Sequence, residues 1–282
     1  MQDATLNNSR LGIARERNGG STKGQQRCGR TSHLKIARSS GGNGGPLLVL
    51  LHGLGATGGV WAEMLSIAGN YWDNRWVAFD LPGHGASDRL PSYRNEDYAA
   101  ALAPEIAEMA HGQAVALLGH SLGGTVSLTL ASGQFGIIPQ SAHAIGIKVD
   151  WSEEELARFD GLAKREPREF DSEQEAIVMH SRYAGLASDA QPALLDNGAR
   201  PKGDKWQAAL DLAAFAVVPP DMPSLVANAR CPIHLSCGAG DPMISVDRLR
   251  QFDPGAIEFG GCGHNAMVDD PASVWKWFAG RQ

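Results

Sequence analysis

Cysteine is scarce in this sequence, and its spacing excludes the common sites built on thiols. Four cysteines occur in 282 residues, and none of them forms a C-x-x-C pair. This density is far below that of disulfide-stabilised secreted domains, so we expect reduced thiols and no metal site. A phosphate-binding G-x-x-x-x-G-K-[S/T] loop is also missing, which leaves nucleotide hydrolysis without support.

Long apolar runs are missing as well. No stretch approaches the ~18 residues of a membrane-spanning helix, and no apolar signal-peptide segment opens the chain. These absences predict a soluble, cytoplasmic protein without a membrane span. The content of hydrophobic residues, 43%, and of charged residues, 20%, is typical of a folded globular enzyme.

Positive charge is concentrated at the start of the chain. Residues 1–40 hold eight Lys or Arg and two acidic residues, so they carry +6; with −6 overall, the remainder carries −12. An acidic body argues against a nucleic-acid partner. Residues 1–30 lack periodicity and are predicted to be a disordered basic leader, with a transit peptide or a wrong start site as alternatives. The sequence leaves the oligomeric state open.

Strand and helix patterns alternate along the rest of the chain. Continuous apolar runs such as residues 46–51 are typical of strands buried on both faces of a parallel sheet. Residues 151–223 instead favour helices, opening with a capping box at Ser152 and Glu155. The full pattern predicts strands at residues 33–38, 46–51, 75–79, 113–118, 142–149, 232–237 and 256–259, and helices at residues 59–68, 95–110, 122–131 and from 270 onward.

This alternation predicts an α/β fold with a mostly parallel central sheet flanked by helices. Residues 31–150 and 224–282 would form the core. Residues 151–223 would form a helical cap, or lid, inserted before the last two strands.

The segment Gly119-His120-Ser121-Leu122-Gly123 carries the strongest functional signal. It fits G-x-S-x-G and lies between a predicted strand and a predicted helix, the setting in which the pattern indicates a nucleophile elbow. The flanking glycines permit a tight turn that exposes the serine hydroxyl. A serine hydroxyl is a weak nucleophile, so it needs a base within reach and a third group that orients the base.

Candidates for the base and the orienting acid follow two later strands. Asp241 comes after the strand at residues 232–237, and His264 comes after the strand at residues 256–259. Both lie at carboxyl ends of strands, the edge where open α/β sheets place their sites. Asp150 also ends a predicted strand and stays open as an alternative acid.

Five stretches in this order resemble the α/β-hydrolase family: residues 51–55, 80–87, 119–124, 240–242 and 263–264. The resemblance implies that Ser121 attacks a substrate carbonyl, that His264 transfers the proton and that Asp241 orients the imidazole. It also implies an oxyanion hole formed by the main-chain amides of Leu54 and Leu122, with no metal or organic cofactor. His52 and Asp80 are expected to order loops.

Three residues are predicted to line the substrate pocket: Trp61, His120 and Trp151. Packing at the elbow is the alternative for His120. Further apolar residues of the cap either face the site or form the core of the cap itself: Leu156, Phe159, Met179, Tyr183, Trp206 and Phe215.

These residues predict a serine esterase that cleaves small to medium apolar small-molecule esters through an acyl-enzyme. One alternative is a carbon–carbon bond hydrolase of the aromatic meta-cleavage type, with the same triad. In it a cap cation would hold a substrate carboxylate; the candidates are Arg158, Lys164, Arg165 and Arg182. Another alternative is a non-catalytic ligand-binding member of the fold. A dinucleotide site at residues 53–58 would leave the serine, acid and histidine unexplained.

Overall fold

The computed structural model describes residues 34–69, 71–187 and 190–282. The predicted leader, residues 1–30, lies outside them. Seven strands form one sheet in the order β1-β3-β2-β4-β5-β8-β9, and β6 and β7 form a separate hairpin. The strands are β1 Arg38–Gly41, β2 Leu47–Leu51, β3 Arg75–Phe79, β4 Val115–His120, β5 Ser141–Ile145, β6 Ala199–Lys202, β7 Lys205–Ala208, β8 Ile233–Gly238 and β9 Ile257–Phe259.

All neighbours in the large sheet are parallel except β1, which runs antiparallel to β3 at the edge. The first strand was predicted at residues 33–38, but it spans Arg38–Gly41. Its residues are polar and only partly buried, so pairing with β3, rather than an apolar pattern, decides where the strand lies.

The helices in the described ranges are α1 Ala62–Ala68, α2 Asn95–Ala110, α3 Leu122–Ala131, α4 Glu153–Ala163, α5 Glu173–Tyr183, α6 Met222–Asn228, α7 Val246–Leu249, α8 Ala266–Asp269 and α9 Pro271–Ala279. The bounds predicted for α2 and α3 are confirmed, the former despite Pro104. Within the described ranges, no helix is long and apolar enough to cross a membrane.

The central strands are buried on both faces, as their continuous apolar runs predict. In β2, Leu47, Val49 and Leu51 join the apolar cluster that includes residues of α2 and α3. Leu48 and Leu50 point the other way, into the cluster that includes residues of α1 and α9. The alternation therefore sandwiches the sheet between two helical layers, and the fold class predicted from the sequence is confirmed.

The segment predicted to form the cap lies between β5 and β8, two neighbouring strands of the sheet. It contains α4 and α5, and Ser152 caps α4 by accepting a hydrogen bond from Glu155 N at 3.1 Å. The segment is not entirely helical, because β6 and β7 form an antiparallel hairpin around Gly203, whose φ is +62°. The hairpin is short and largely polar, so it gives no apolar alternation that would reveal it in the sequence.

Candidate active site

Ser121 lies at a sharp turn between the end of β4 and the start of α3. Its φ of +49° and ψ of −112° are unusual for a residue with a side chain. A Cβ on Gly119 would overlap the carbonyl of Gly123, and a Cβ on Gly123 would overlap the carbonyls of Leu51 and His52. The spacing of the glycines therefore follows from close backbone contacts around the serine.

Gly123 and its neighbour Gly124 provide a matched test of this explanation. We expect Gly123→Ala to lower the free energy of unfolding by about 3 kcal/mol or more, because its new Cβ would meet rigid backbone. Gly124→Ala would meet the Ile147 and Ala144 side chains at 3.0 and 3.1 Å, which can shift, so we expect a change of about 1 kcal/mol or less. Urea denaturation of both variants checks this, and equal losses would contradict it.

The structure brings His264 and Asp241 together. His264 Nδ1 donates a hydrogen bond to Asp241 Oδ2 at 2.9 Å, and the Asp241 side chain is fully buried. The other oxygen, Oδ1, accepts a hydrogen bond from Met243 N at 2.8 Å. Both oxygens of the carboxylate are thereby fixed. The second imidazole nitrogen of His264, Nε2, remains free to accept a proton.

Asp150, the alternative acid, lies elsewhere. Its side chain is 70% exposed and forms two hydrogen bonds with the Arg248 guanidinium, at 2.9 and 3.0 Å. Gly146, just beyond β5, lies closer to the histidine–acid pair. A Cβ at this glycine would lie 3.2 Å from Asp241 Oδ2 and 3.3 Å from the His264 ring. With a φ of +65°, the glycine allows the chain to pass the pair without contacting it.

Ser121 and His264 line the same cavity. In the described part of the chain, no direct hydrogen bond joins the serine hydroxyl to the imidazole. Contacts between a nucleophile and its base are often loose without substrate and tighten when substrate binds. The arrangement can therefore support proton transfer from Ser121 to His264 once a ligand orders the two side chains.

The amides of Leu54 and Leu122, predicted as oxyanion donors, are both available. Neither donates a hydrogen bond to an acceptor among the residues that the structure describes, and both residues line the cavity. Gly123 N donates to His52 O at 3.1 Å, which ties the elbow to the loop carrying Leu54. Two unused donors beside one serine hydroxyl are what a developing oxyanion requires.

His52 holds that loop in place through both ring nitrogens. Nδ1 donates to Gly53 O and Nε2 accepts from Leu81 N, each at 2.8 Å. Because a backbone N–H can only donate, Nε2 carries no proton and the ring is neutral. Burial lowers the pKa of His52 well below its ordinary value, and His84 acts in the same direction. The ring is therefore a structural link and not a base.

Asp80 organises the neighbouring loops and reaches the cap. Its carboxylate accepts hydrogen bonds from Gly58 N at 2.9 Å, Ala86 N at 3.1 Å and Asn197 Nδ2 at 3.1 Å. Burial raises the pKa of Asp80 to about 6, although these donors act in the opposite direction. The contact with Asn197 fastens the cap to the loop that follows β3.

His120 both lines the cavity and packs at the elbow. Its Nε2 donates to the main-chain oxygen of His264 at 2.9 Å, and the two ring centres lie 4.6 Å apart. Burial lowers the pKa of His120 well below its ordinary value, and the nearby His264 adds to that effect. A neutral His120 therefore supports the loop that carries His264 without opposing a positive charge on its ring.

The cavity has a volume of about 250 Å³ and an aromatic wall. Edge contacts join Trp151 to Phe159, with ring centres 5.2 Å apart, and Phe159 to Phe215 at 5.7 Å, while Phe215 and Tyr183 form a tilted contact at 5.7 Å. All four line the cavity, so these cap residues face the site. Leu156, Met179 and Trp206, named with them from the sequence, do not belong to the lining.

Trp61 is not part of the lining either. Its side chain is fully buried in the apolar cluster on the α1 and α9 side of the sheet. The Gly58–Trp61 turn directs it into that layer, which corrects the sequence-based expectation of a pocket residue.

Two cations line the cavity: Arg182, which belongs to the predicted set, and Lys148, which was not predicted to lie there. The strand predicted at residues 142–149 ends at Ile145 in the structure, so the place of Lys148 beyond a carboxyl end of the sheet was not apparent from the sequence.

Residues 48–277 match a family model described as the alpha/beta hydrolase family. The chain belongs to this family. It is 26% identical over 250 residues to the 2-succinyl-6-hydroxy-2,4-cyclohexadiene-1-carboxylate synthase of Salmonella paratyphi C, covering 86% of this chain and 95% of the relative.

Solved structures of this family show the same fold. The structure of E-2-(acetamidomethylene)succinate hydrolase aligns with a TM-score of 0.74 at 21% identity, covering 88% of this chain and 95% of the other. An esterase of Mycobacterium tuberculosis aligns with a TM-score of 0.67, also at 21% identity, covering 87% and 88% of the two chains.

Proposed function

We propose that this α/β hydrolase is a serine-dependent esterase that cleaves small to medium carboxylic esters through an acyl-enzyme. One observation carries the proposal: a serine held at a positive φ shares a cavity with a histidine that is hydrogen-bonded to a buried carboxylate. The two unused amides beside the serine support the same chemistry.

In the proposed reaction, Ser121 Oγ attacks the ester carbonyl carbon while His264 takes the hydroxyl proton. The product of this attack is a tetrahedral intermediate with a negatively charged oxygen. That oxygen accepts hydrogen bonds from the amides of Leu54 and Leu122, each of which lowers the barrier by roughly 3–4 kcal/mol. Collapse of this intermediate breaks the bond to the alkoxy group, and His264 returns its proton to the leaving alcohol. Water then attacks the acyl-enzyme with His264 as base, which releases the acid and the free serine.

A phosphonate that reacts with activated serines tests the proposal directly. We expect one covalent adduct per chain, located at Ser121 by peptide mass spectrometry, and no adduct after heat denaturation, because only the folded site activates the hydroxyl. p-Nitrophenyl esters of increasing chain length would then measure the size of the acyl pocket. A folded protein that neither reacts with the phosphonate nor turns over esters would favour the ligand-binding alternative.

Carbon–carbon bond hydrolysis is the second candidate, since it can use the same serine, histidine and acid. It is supported by the similarity to the synthase, whose name indicates a product with carboxylates, and to the hydrolase, whose name indicates a succinate derivative as substrate. Arg182 on the cavity wall is compatible with such a substrate. Phosphonate labelling without turnover of any simple ester would favour this candidate over the esterase.

A further inference from the structure

The cavity beside Ser121 is positively charged, although the body of the chain is acidic. Its lining residues in the described part of the chain include two cations, Lys148 and Arg182, and no Asp or Glu. Charges interact more strongly once a ligand displaces water from an apolar cavity. An anionic ligand is therefore favoured there, and a cationic one is disfavoured.

The two cations differ in whether an acidic side chain already balances their charge. Lys148 Nζ lies 2.9 Å from the Glu155 carboxylate and 5.1 Å from the centre of the Trp151 ring. Arg182, in the last turn of α5, is exposed, and its guanidinium makes no hydrogen bond or ion pair with any residue that the structure describes. Arg182 is thus the cation free to accept a ligand.

We propose that Arg182 binds a carboxylate on the acyl chain of the substrate while the ester carbonyl lies at Ser121. The inference rests on the proposed function and narrows its substrate class to monoesters of dicarboxylic acids. A guanidinium suits this role because its planar N–H groups can bind both oxygens of one carboxylate. The aromatic wall would hold the methylene groups between the two ends.

Two further arginines lie near Tyr183, another residue that lines the cavity. Burial raises the pKa of the neighbouring Tyr183 phenol, while Arg165 and Arg168 oppose that rise, so their charges lie near this lining residue. Neither arginine has an acidic partner among the described residues. Their charges favour an anion over a cation near this wall of the cavity.

Two esters of equal acyl length test the proposal: monomethyl glutarate, which carries a terminal carboxylate, and methyl pentanoate, which carries a methyl group there. We expect the wild type to have a higher kcat/KM for monomethyl glutarate than for methyl pentanoate. Hydrolysis of both esters is measured by the release of protons at constant pH. Arg182→Gln should lower this preference by about ten-fold, and Arg182→Lys should lower it less, because it keeps the charge but loses the planar fork.

Lys164→Gln is the matched control for loss of a positive charge. Lys164 lies in the same cap, is exposed, pairs with Asp160 and does not line the cavity. We expect it to leave the preference unchanged. A preference for methyl pentanoate in the wild type, or a glutarate preference that Arg182→Gln leaves unaltered, would overturn the proposal.

Binding of glutarate to Ser121→Ala separates this inference from the esterase proposal. Calorimetry should show glutarate binding that weakens by about ten-fold when Arg182→Gln is added. If neither ester is cleaved but this loss of binding is seen, the esterase proposal fails and the carboxylate site stands. If glutarate does not bind, or binds equally well to both proteins, the carboxylate site is ruled out.

Discussion

Ser121→Ala should lower kcat for ester hydrolysis by about 10⁵–10⁶-fold, the loss expected when a triad nucleophile is removed. This corresponds to roughly 7–8 kcal/mol of barrier. The base, its carboxylate and the two amides remain in place, so some catalysis above the rate in water should persist. Steady-state kinetics with p-nitrophenyl esters measure the loss.

The variant should fold as the wild type does, which makes the kinetic result interpretable. Alanine keeps the Cβ of serine, so the strain at a φ of +49° is unchanged. Ser127→Ala, six residues along α3, is the matched control, because among the described residues its hydroxyl bonds only to Gly123 O of the same helix, at 2.8 Å. If Ser121→Ala kept more than about one hundredth of the activity, the nucleophile would have to be another group.

The sheet and the nucleophile elbow were predictable because both depend on local pattern. Runs such as Leu47–Leu51 are apolar at every position, since both faces of the sheet are covered by helices. The elbow is recognisable because Gly119 and Gly123 are required by backbone contacts within a few residues of the serine. Steric requirements between residues that are close in the chain can therefore be recognised from the sequence alone.

Features decided by long-range pairing were not predictable in the same way. β1 consists of residues 38–41, of which only residue 38 falls within the strand predicted from the sequence, and it exists because the edge of β3 offers unpaired backbone groups. The hairpin of β6 and β7 is likewise held by its own pairing and by a turn at Gly203, not by an apolar stripe. The strand propensity of single residues predicts poorly where a strand forms when pairing with another strand determines its position.

Within the candidate site, position after a strand anticipated the geometry of a residue better than residue type did. Asp241 and His264 were predicted to lie together because they follow strands whose carboxyl ends meet at one edge of the sheet, and their side chains are hydrogen-bonded. Trp61 was chosen for its aromatic ring and its place after the oxyanion loop, but its side chain turns into the opposite layer. The direction of a side chain on a short helical turn depends on the packing around it, which one sequence does not display.

Asp241→Asn should lower kcat by about 10⁴-fold, as expected when a neutral amide replaces the acid that orients a catalytic histidine. The buried Asp241 carboxylate accepts the Nδ1 proton of His264 at 2.9 Å, which leaves Nε2 free to take the proton of the serine. An amide can donate to Nδ1 instead, which would favour the wrong tautomer, and it cannot balance the charge of the protonated ring.

Asp150→Asn is the matched control, because it removes the same charge from the competing acid. Its pair with Arg248 is exposed and screened by solvent, so it is expected to contribute little to stability and nothing to proton transfer. We therefore expect activity within a few-fold of the wild type, whereas Asp241→Asn should be nearly inactive although folded by circular dichroism. If Asp150→Asn proved to be the inactive variant, the acid would have to be reassigned to the strand after the elbow, and the His264–Asp241 hydrogen bond would then have a structural role only.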